Sequence, residues 1–130
     1  MSRGAAFADY ANDGDLDIFV VNNGGPGLLM RNAAQQEYQW LQVALEGVVS
    51  NRSAIGAKLR LVVGSRVHIR PVGAQSSYCS QNSLIEHFGL GLQSVADTLE
   101  ITWPSGERQV FYNLAANQRV RVVEGDPVLR

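Results

Sequence analysis

The chain has 130 residues, 45% of them hydrophobic and 18% charged, enough for one domain with an apolar core. A net charge of -1 excludes the strongly basic signature of a nucleic-acid binder and the composition of an acidic solvating tail. A single cysteine, Cys79, excludes an internal disulfide and a cysteine-based zinc site.

The first residues, Met1–Phe7, lack the apolar core of a secretory signal, so no signal peptide is expected in this chain. The longest apolar runs fall far short of a membrane span. An acidic turn follows, in which Asp9, Asp13, Asp15 and Asp17 place four carboxylates within nine residues around Asn12–Asp13–Gly14. Calcium takes six to eight oxygens, and carboxylates at alternate positions with a glycine at the sharp turn can supply them. Asp9, Asp13 and Asp17 fill the first, fifth and ninth positions of such a loop, and Asp15 offers its backbone carbonyl. Ala11 stands where the third ligand should be, which predicts a weak site. An EF-hand is excluded, because Val20 occupies the twelfth position and opens a strand.

Leu16–Asn22 is rich in Ile, Phe and Val and predicts a strand, stopped by Asn23–Gly24–Gly25–Pro26–Gly27. Leu28–Asn32 is a short return, so the leader is expected to form a hairpin, and Ala33–Glu37 a polar connector. From Tyr38 the apolar period is two, the mark of half-buried strands. Leu41, Val43 and Leu45 point one way on the first. Ala57, Leu59, Leu61 and Val63 do so on the second, and the Gly64–Ser65 turn makes a tight hairpin. On the returning strand Arg66–Pro71, Val67 and Ile69 are expected inward, with Arg66, His68 and Arg70 outward. Gly73–Ser83 is expected to be a loop of small residues. Ile85–Gly91 and Ala96–Trp103 are further strands, the latter with Leu99, Ile101 and Trp103 inward. Trp103–Pro104–Ser105–Gly106–Glu107 is a turn in which Pro presets φ and Gly closes. Val110, Tyr112 and Leu114 are expected on one face of Gln109–Leu114, and Val120 and Val122 inward on Gln118–Glu124. Eight or nine short strands without a sustained helical stripe predict an all-β, antiparallel, Greek-key sandwich.

From about Trp40 to Glu124 the chain resembles the ASPIC/UnbV domain. The resemblance rests on Asn51–Ala57, Gln81–Asn82–Ser83, His87–Phe88–Gly89–Leu90–Gly91, Asp97–Gly106 and Gln109. The leader Gly4–Asn32 resembles part of one FG-GAP (VCBS) repeat, whose family forms calcium-binding propeller blades. These resemblances imply a leader over residues 1–37, a sandwich over 38–125 and a tail over 126–130. They also imply an extracytoplasmic or secreted setting, and a chain that is a piece or a shortened copy of a larger protein.

No catalytic constellation is visible. His68 and His87 have no nucleophile at a telling spacing, no G-x-S-x-G elbow occurs, and Cys79 is expected to be a half-buried small residue. Gly89–Leu90–Gly91 and Gly24–Gly25–Pro26–Gly27 match no phosphate-binding fingerprint. By alternation Lys58 and Arg60, then Arg66, His68 and Arg70, then Arg119 and Arg121 point outward. If their strands are neighbours, six of the eleven Lys and Arg side chains share one surface. That surface would suit an anionic polysaccharide or a protein partner; the plainer reading is charge that solvates the sheet and guards its edges. Aromatics that would stack single-stranded nucleic acid are missing from these strands, so no nucleic-acid partner is expected. Asn51–Arg52–Ser53 is a glycosylation sequon, meaningful only in a eukaryotic secretory setting. The expectation is a non-catalytic extracytoplasmic module for binding or adhesion, with one weak calcium site. The alternative is a structural domain that caps a propeller and has no ligand of its own.

Overall fold

A computed structural model describes residues 1–33, 37–73 and 79–130. Ten strands and no helix occur among them, β1 (Ser2–Ala8), β2 (Asp17–Asn22), β3 (Leu28–Met30), β4 (Gln39–Glu46), β5 (Lys58–Val63), β6 (Arg66–Pro71), β7 (Glu86–Gly91), β8 (Val95–Thr102), β9 (Arg108–Ala115) and β10 (Gln118–Val123). They form three sheets, ordered β1-β2-β3, β10-β4-β7 and β6-β5-β8-β9. The second and third face each other as a sandwich, with the chain crossing between them after β4, β6, β7 and β9. Parts of the expected connector at 33–37 and of the expected loop at 73–83 lie outside the described residues.

Period-two alternation builds the core. Leu41 and Val43, Phe88 and Leu90, and Val120 and Val122 come from one sheet. Leu59, Leu61 and Val63, with Leu99, Ile101, Phe111 and Leu114, come from the other. Trp103 closes one end, its indole N–H donating to Gln109. The all-β sandwich expected from the pattern is therefore present.

Several local expectations are corrected. Met1–Phe7 was not expected to be a strand, yet β1 pairs antiparallel with β2 and turns the leader hairpin into a three-stranded sheet. Alternating apolar and small residues are too few there for the pattern to show. All pairings are antiparallel except one: β10 runs parallel to β4 over Gln118↔Leu41 to Val123↔Glu46. Asn117 sets this up. Its φ of 58° turns the chain, its N–H donates to the Trp40 carbonyl, and its Oδ1 accepts from the Trp40 N–H. β10 therefore starts beside the start of β4.

The faces of β6 are opposite to expectation. The two-residue turn sets Val63 against Arg66, so Arg66, His68 and Arg70 lie on the same side as Val63, Leu61 and Leu59. Ile69 is 61% exposed on the outer face, with Val67 beside it. On β9 the core residue is Phe111, while Val110 and Tyr112 are exposed; beyond Asn113, with a φ of 55°, Leu114 turns inward again. Cys79 is exposed, not half-buried. Residues 126–130 fold back, with the Arg121 N–H donating to the Arg130 carbonyl and the Arg130 N–H to that of Arg121, so the outer edge of β10 is paired.

One buried carboxylate ties the loops to this frame. Glu124 Oε2 accepts the backbone N–H groups of Val48, Val49 and Ser50, and Oε1 accepts the hydroxyls of Ser50 and Ser105. Burial alone would raise its pKa. The hydroxyls of Ser105 and Ser50 and the amides of the loop outweigh that and hold it at about 2. Its contribution to stability is full above the ordinary value of 4.5 and is lost as the pH falls toward about 2. Glu124→Ala should lower stability by roughly 2 kcal/mol in urea unfolding, because it removes five hydrogen bonds to a charged acceptor at once. Glu124→Gln should flatten the pH dependence of melting over that acid window.

Candidate functional site

The site grows from the outer face of the three-stranded side of the sandwich. Gln42 alternates with Leu41 and Val43, so it points away from the core, yet it is only 1% exposed. The register places His87 of β7 and Arg119 of β10 directly beside it, one polar residue from each of three adjacent strands. The acidic turn lies over this row. His87 Nε2 donates to the Gly14 carbonyl (2.7 Å), Gln42 Nε2 donates to Asp9 Oδ2 (2.7 Å), and Arg119 donates to Gln42 Oε1 (2.7 Å) and Asn12 Oδ1 (3.1 Å). Trp40 stacks on the His87 ring at 6.5 Å between centroids. Gly14 sits against Trp40 so closely that a Cβ there would lie 2.1 Å from the indole, and its φ is 93°.

The four carboxylates of the turn do not converge. Asp9 Oδ1 accepts the Asp13 N–H, and Oδ2 accepts those of Gly14 and Gln42, with Arg119 3.9 Å away. Asp13 accepts the Asp15 N–H and pairs with Arg31. The Asp15 amide and the Arg31 guanidinium hold its pKa below the ordinary carboxylate range. Buried Asp17 accepts the N–H groups of Tyr10 and Asn32, clamping the ends of the turn together. Among the described residues no three His, Cys, Asp or Glu side chains are placed to hold a metal ion. As arranged, Asp9, Asp13 and Asp17 are engaged with backbone amides, Gln42 and Arg31.

The seven residues of the expected basic surface are divided. Lys58 and Arg60 lie on the outer face of the four-stranded sheet, where Arg60 and Arg108 approach Glu100. Arg121 is on the other sheet and pairs with Glu46. Arg66, His68 and Arg70 face β7, where the His68 ring meets Phe88 edge-on at 6.4 Å and the Arg70 guanidinium lies 5.7 Å from the Phe88 centroid. The single basic surface is therefore replaced by a cleft of about 340 Å³ lined from both sides of β7. Arg70, Glu86, His87, Arg119, Asp9 and Asn82 are among its lining residues. Burial pushes the Glu86 carboxyl above its ordinary range, and nearby Arg70 partly offsets this.

Comparison with known proteins gives the chain its relations. The family model described as "ASPIC and UnbV" matches residues 47–128. The chain belongs to this family. It is 31% identical to cartilage acidic protein 1 of Xenopus tropicalis over 108 residues, 80% of this chain and 16% of the relative. It is 30% identical to cartilage acidic protein 1 of Homo sapiens over 125 residues, 93% of this chain and 18% of the relative. The chain thus spans less than a fifth of the length of these relatives, and the likeness to the second extends into the leader.

Of the residues that shape this ASPIC and UnbV domain, sequence reasoning missed Gln42, Glu86, Asn117 and Glu124. Gln42 reads as an ordinary outward residue of an alternating strand, and nothing local marks it as covered. Glu86 reads as the polar start of β7. Gly14→Ala should lift the acidic turn from β4 while leaving the sandwich folded. Amide exchange over residues 9–17 should quicken roughly tenfold or more, with the Trp40 emission shifted and global stability lowered by less than about 1 kcal/mol.

Proposed function

We propose that this ASPIC and UnbV domain is a non-catalytic binding or adhesion module that works outside the cytoplasm, and that its working site is the cleft beside β7. The observation that carries this reading is the juxtaposition of Arg70, Glu86, His87 and Arg119 from two strands of one sheet, β7 and β10, and the edge strand β6 of the other. The resemblance to cartilage acidic protein 1 supports the extracytoplasmic setting. The engagement of Asp9 supports the absence of catalysis: a glycosidase-like pair needs two carboxyl groups able to give and take protons, and of the cleft's two, Asp9 and Glu86, Asp9 already accepts N–H groups on both oxygens. Beads coated with the domain should adhere to an extracellular matrix layer, and Arg70→Met, which keeps the aliphatic stem against Phe88, should reduce adhesion without lowering the melting temperature. Equal adhesion by wild type and variant would overturn the cleft reading.

The leader supports a second reading, that of a structural cap or assembly domain. Its three-stranded antiparallel sheet with an acidic turn is compatible with part of an FG-GAP blade, and Phe19, Val21, Leu28, Leu29 and Met30 are exposed on it.

Calcium in the turn would have to compete with Arg31 for Asp13 and with the backbone amides that Asp9 and Asp17 accept. Calorimetric titration with calcium should therefore give no binding heat at millimolar concentrations, and the melting temperature should not move. An anionic polysaccharide is disfavoured because the basic residues are divided between surfaces, and Arg60, Arg119 and Arg121 already approach carboxylates. The domain should pass through a heparin column at about 0.15 M salt, where separated surface charges are largely screened.

A further inference from the structure

Most groups lining the cleft beside β7 are already used, and two are not. His87 is held through Nε2 by the Gly14 carbonyl. Arg119 is committed to Gln42 and Asn12, and Asp9 to Gln42 and two backbone amides. Arg70 has one hydrogen bond, from Nη1 to the neighbouring Ile69 carbonyl at 3.2 Å, while its face lies over Phe88. A guanidinium has five N–H donors in a planar fork, so most of them are unspent. Glu86 is half-buried and, among the described residues, accepts no hydrogen bond and stands in no ion pair within 4 Å. A partly buried carboxylate without donors is costly, and both residues line the same cleft.

A ligand that satisfies both must offer an acceptor to Arg70 and a donor to Glu86 at neighbouring atoms. Net charge narrows the class further. Two guanidinium groups, Arg70 and Arg119, face two carboxylates, Asp9 and Glu86, so the lining carries no net charge to select an ion. Hydroxyl groups serve as donor and acceptor at once, and two adjacent ones match the Arg70–Glu86 pair. The volume of about 340 Å³ lies at the lower end of the roughly 300–1,000 Å³ of small-molecule sites, which suits one or two sugar units. We infer that the cleft is a carbohydrate site, in which Arg70 and Glu86 together bind adjacent hydroxyls of a neutral sugar.

This inference rests on the binding-module reading and names its ligand class. The test is a ¹⁵N-detected titration of the full chain with methyl glucoside, methyl galactoside, methyl mannoside and N-acetylglucosamine, with glucuronate and glycine as charged comparisons. At least one neutral sugar should shift signals of β7, including those near Glu86 and His87, together with the Arg70 side chain. Arg70→Met and Glu86→Ala should each weaken that binding roughly tenfold or more, and Glu86→Gln, which keeps an acceptor and the fold, should weaken it less. Absence of any shift with all four neutral sugars would overturn the inference, as would shifts confined to other surfaces. Stronger binding of glucuronate or glycine would overturn the neutral-ligand assignment. Matrix adhesion that depends on Arg70 while every sugar fails would sink the inference and leave the binding module standing. Adhesion indifferent to Arg70 would remove that reading itself.

Discussion

A single buried carboxylate holds the irregular parts of this sandwich to its regular parts. Glu124 directly follows β10, and its two oxygens collect three consecutive amides of the loop after β4 and two serine hydroxyls, one of them from the turn between β8 and β9. Ser105 in turn donates its N–H to the Ser50 hydroxyl, so the loop and the turn are joined to each other as well. Amides that would otherwise lack partners are satisfied by charge-assisted bonds, which are about twice as strong as neutral ones. Gln109 makes a smaller knot beside it, accepting from Trp103 and from Gly125 and donating to the carbonyls of Val123 and Asp126. The two knots leave the strands free to be chosen by hydrophobic alternation alone.

The same separation of roles appears on the opposite side of β4. Leu41 and Val43 build the core from one face, and Gln42 anchors the acidic turn from the other. A strand covered on both faces normally reads as a continuous apolar run. Here the second cover is a polar turn, so the sequence still alternates. Three of the acidic turn's four carboxylates, those of Asp9, Asp13 and Asp17, are engaged by backbone amides, Gln42 and arginines. What it provides in this structure is attachment of the leader and one wall of a cleft.

Much of the sandwich was legible from residues. Leu59, Leu61, Val63, Leu99, Ile101, Trp103, Val120 and Val122 are buried as their alternation requires. The misreading of β6 is instructive because the correct answer was also present. A two-residue turn at Gly64–Ser65 pairs Val63 with Arg66, and paired residues share a face. Residue type within β6 favours the opposite face, whereas turn length carries the decisive constraint. The cleft was not legible, since its lining depends on which strands become neighbours and on a turn that arrives from a distant part of the chain. Arg70 and Glu86 acquire meaning only when β6 and β7 stand across from one another.

The parallel pairing of β10 with β4 has a mechanical consequence. The leader joins the sandwich at the start of β4, near Gln39, whereas β10 delivers the chain at its far end, near Val123. Tension applied through the two ends would therefore pull these strands in opposite directions along their length. Under such loading the ladder from Gln118↔Leu41 to Val123↔Glu46 bears force in shear, and its bonds must yield together instead of opening one after another. An antiparallel hairpin in the same place would unzip from one end. Parallel pairing thus sets the two strands to resist sliding past one another, which a hairpin in the same place would not.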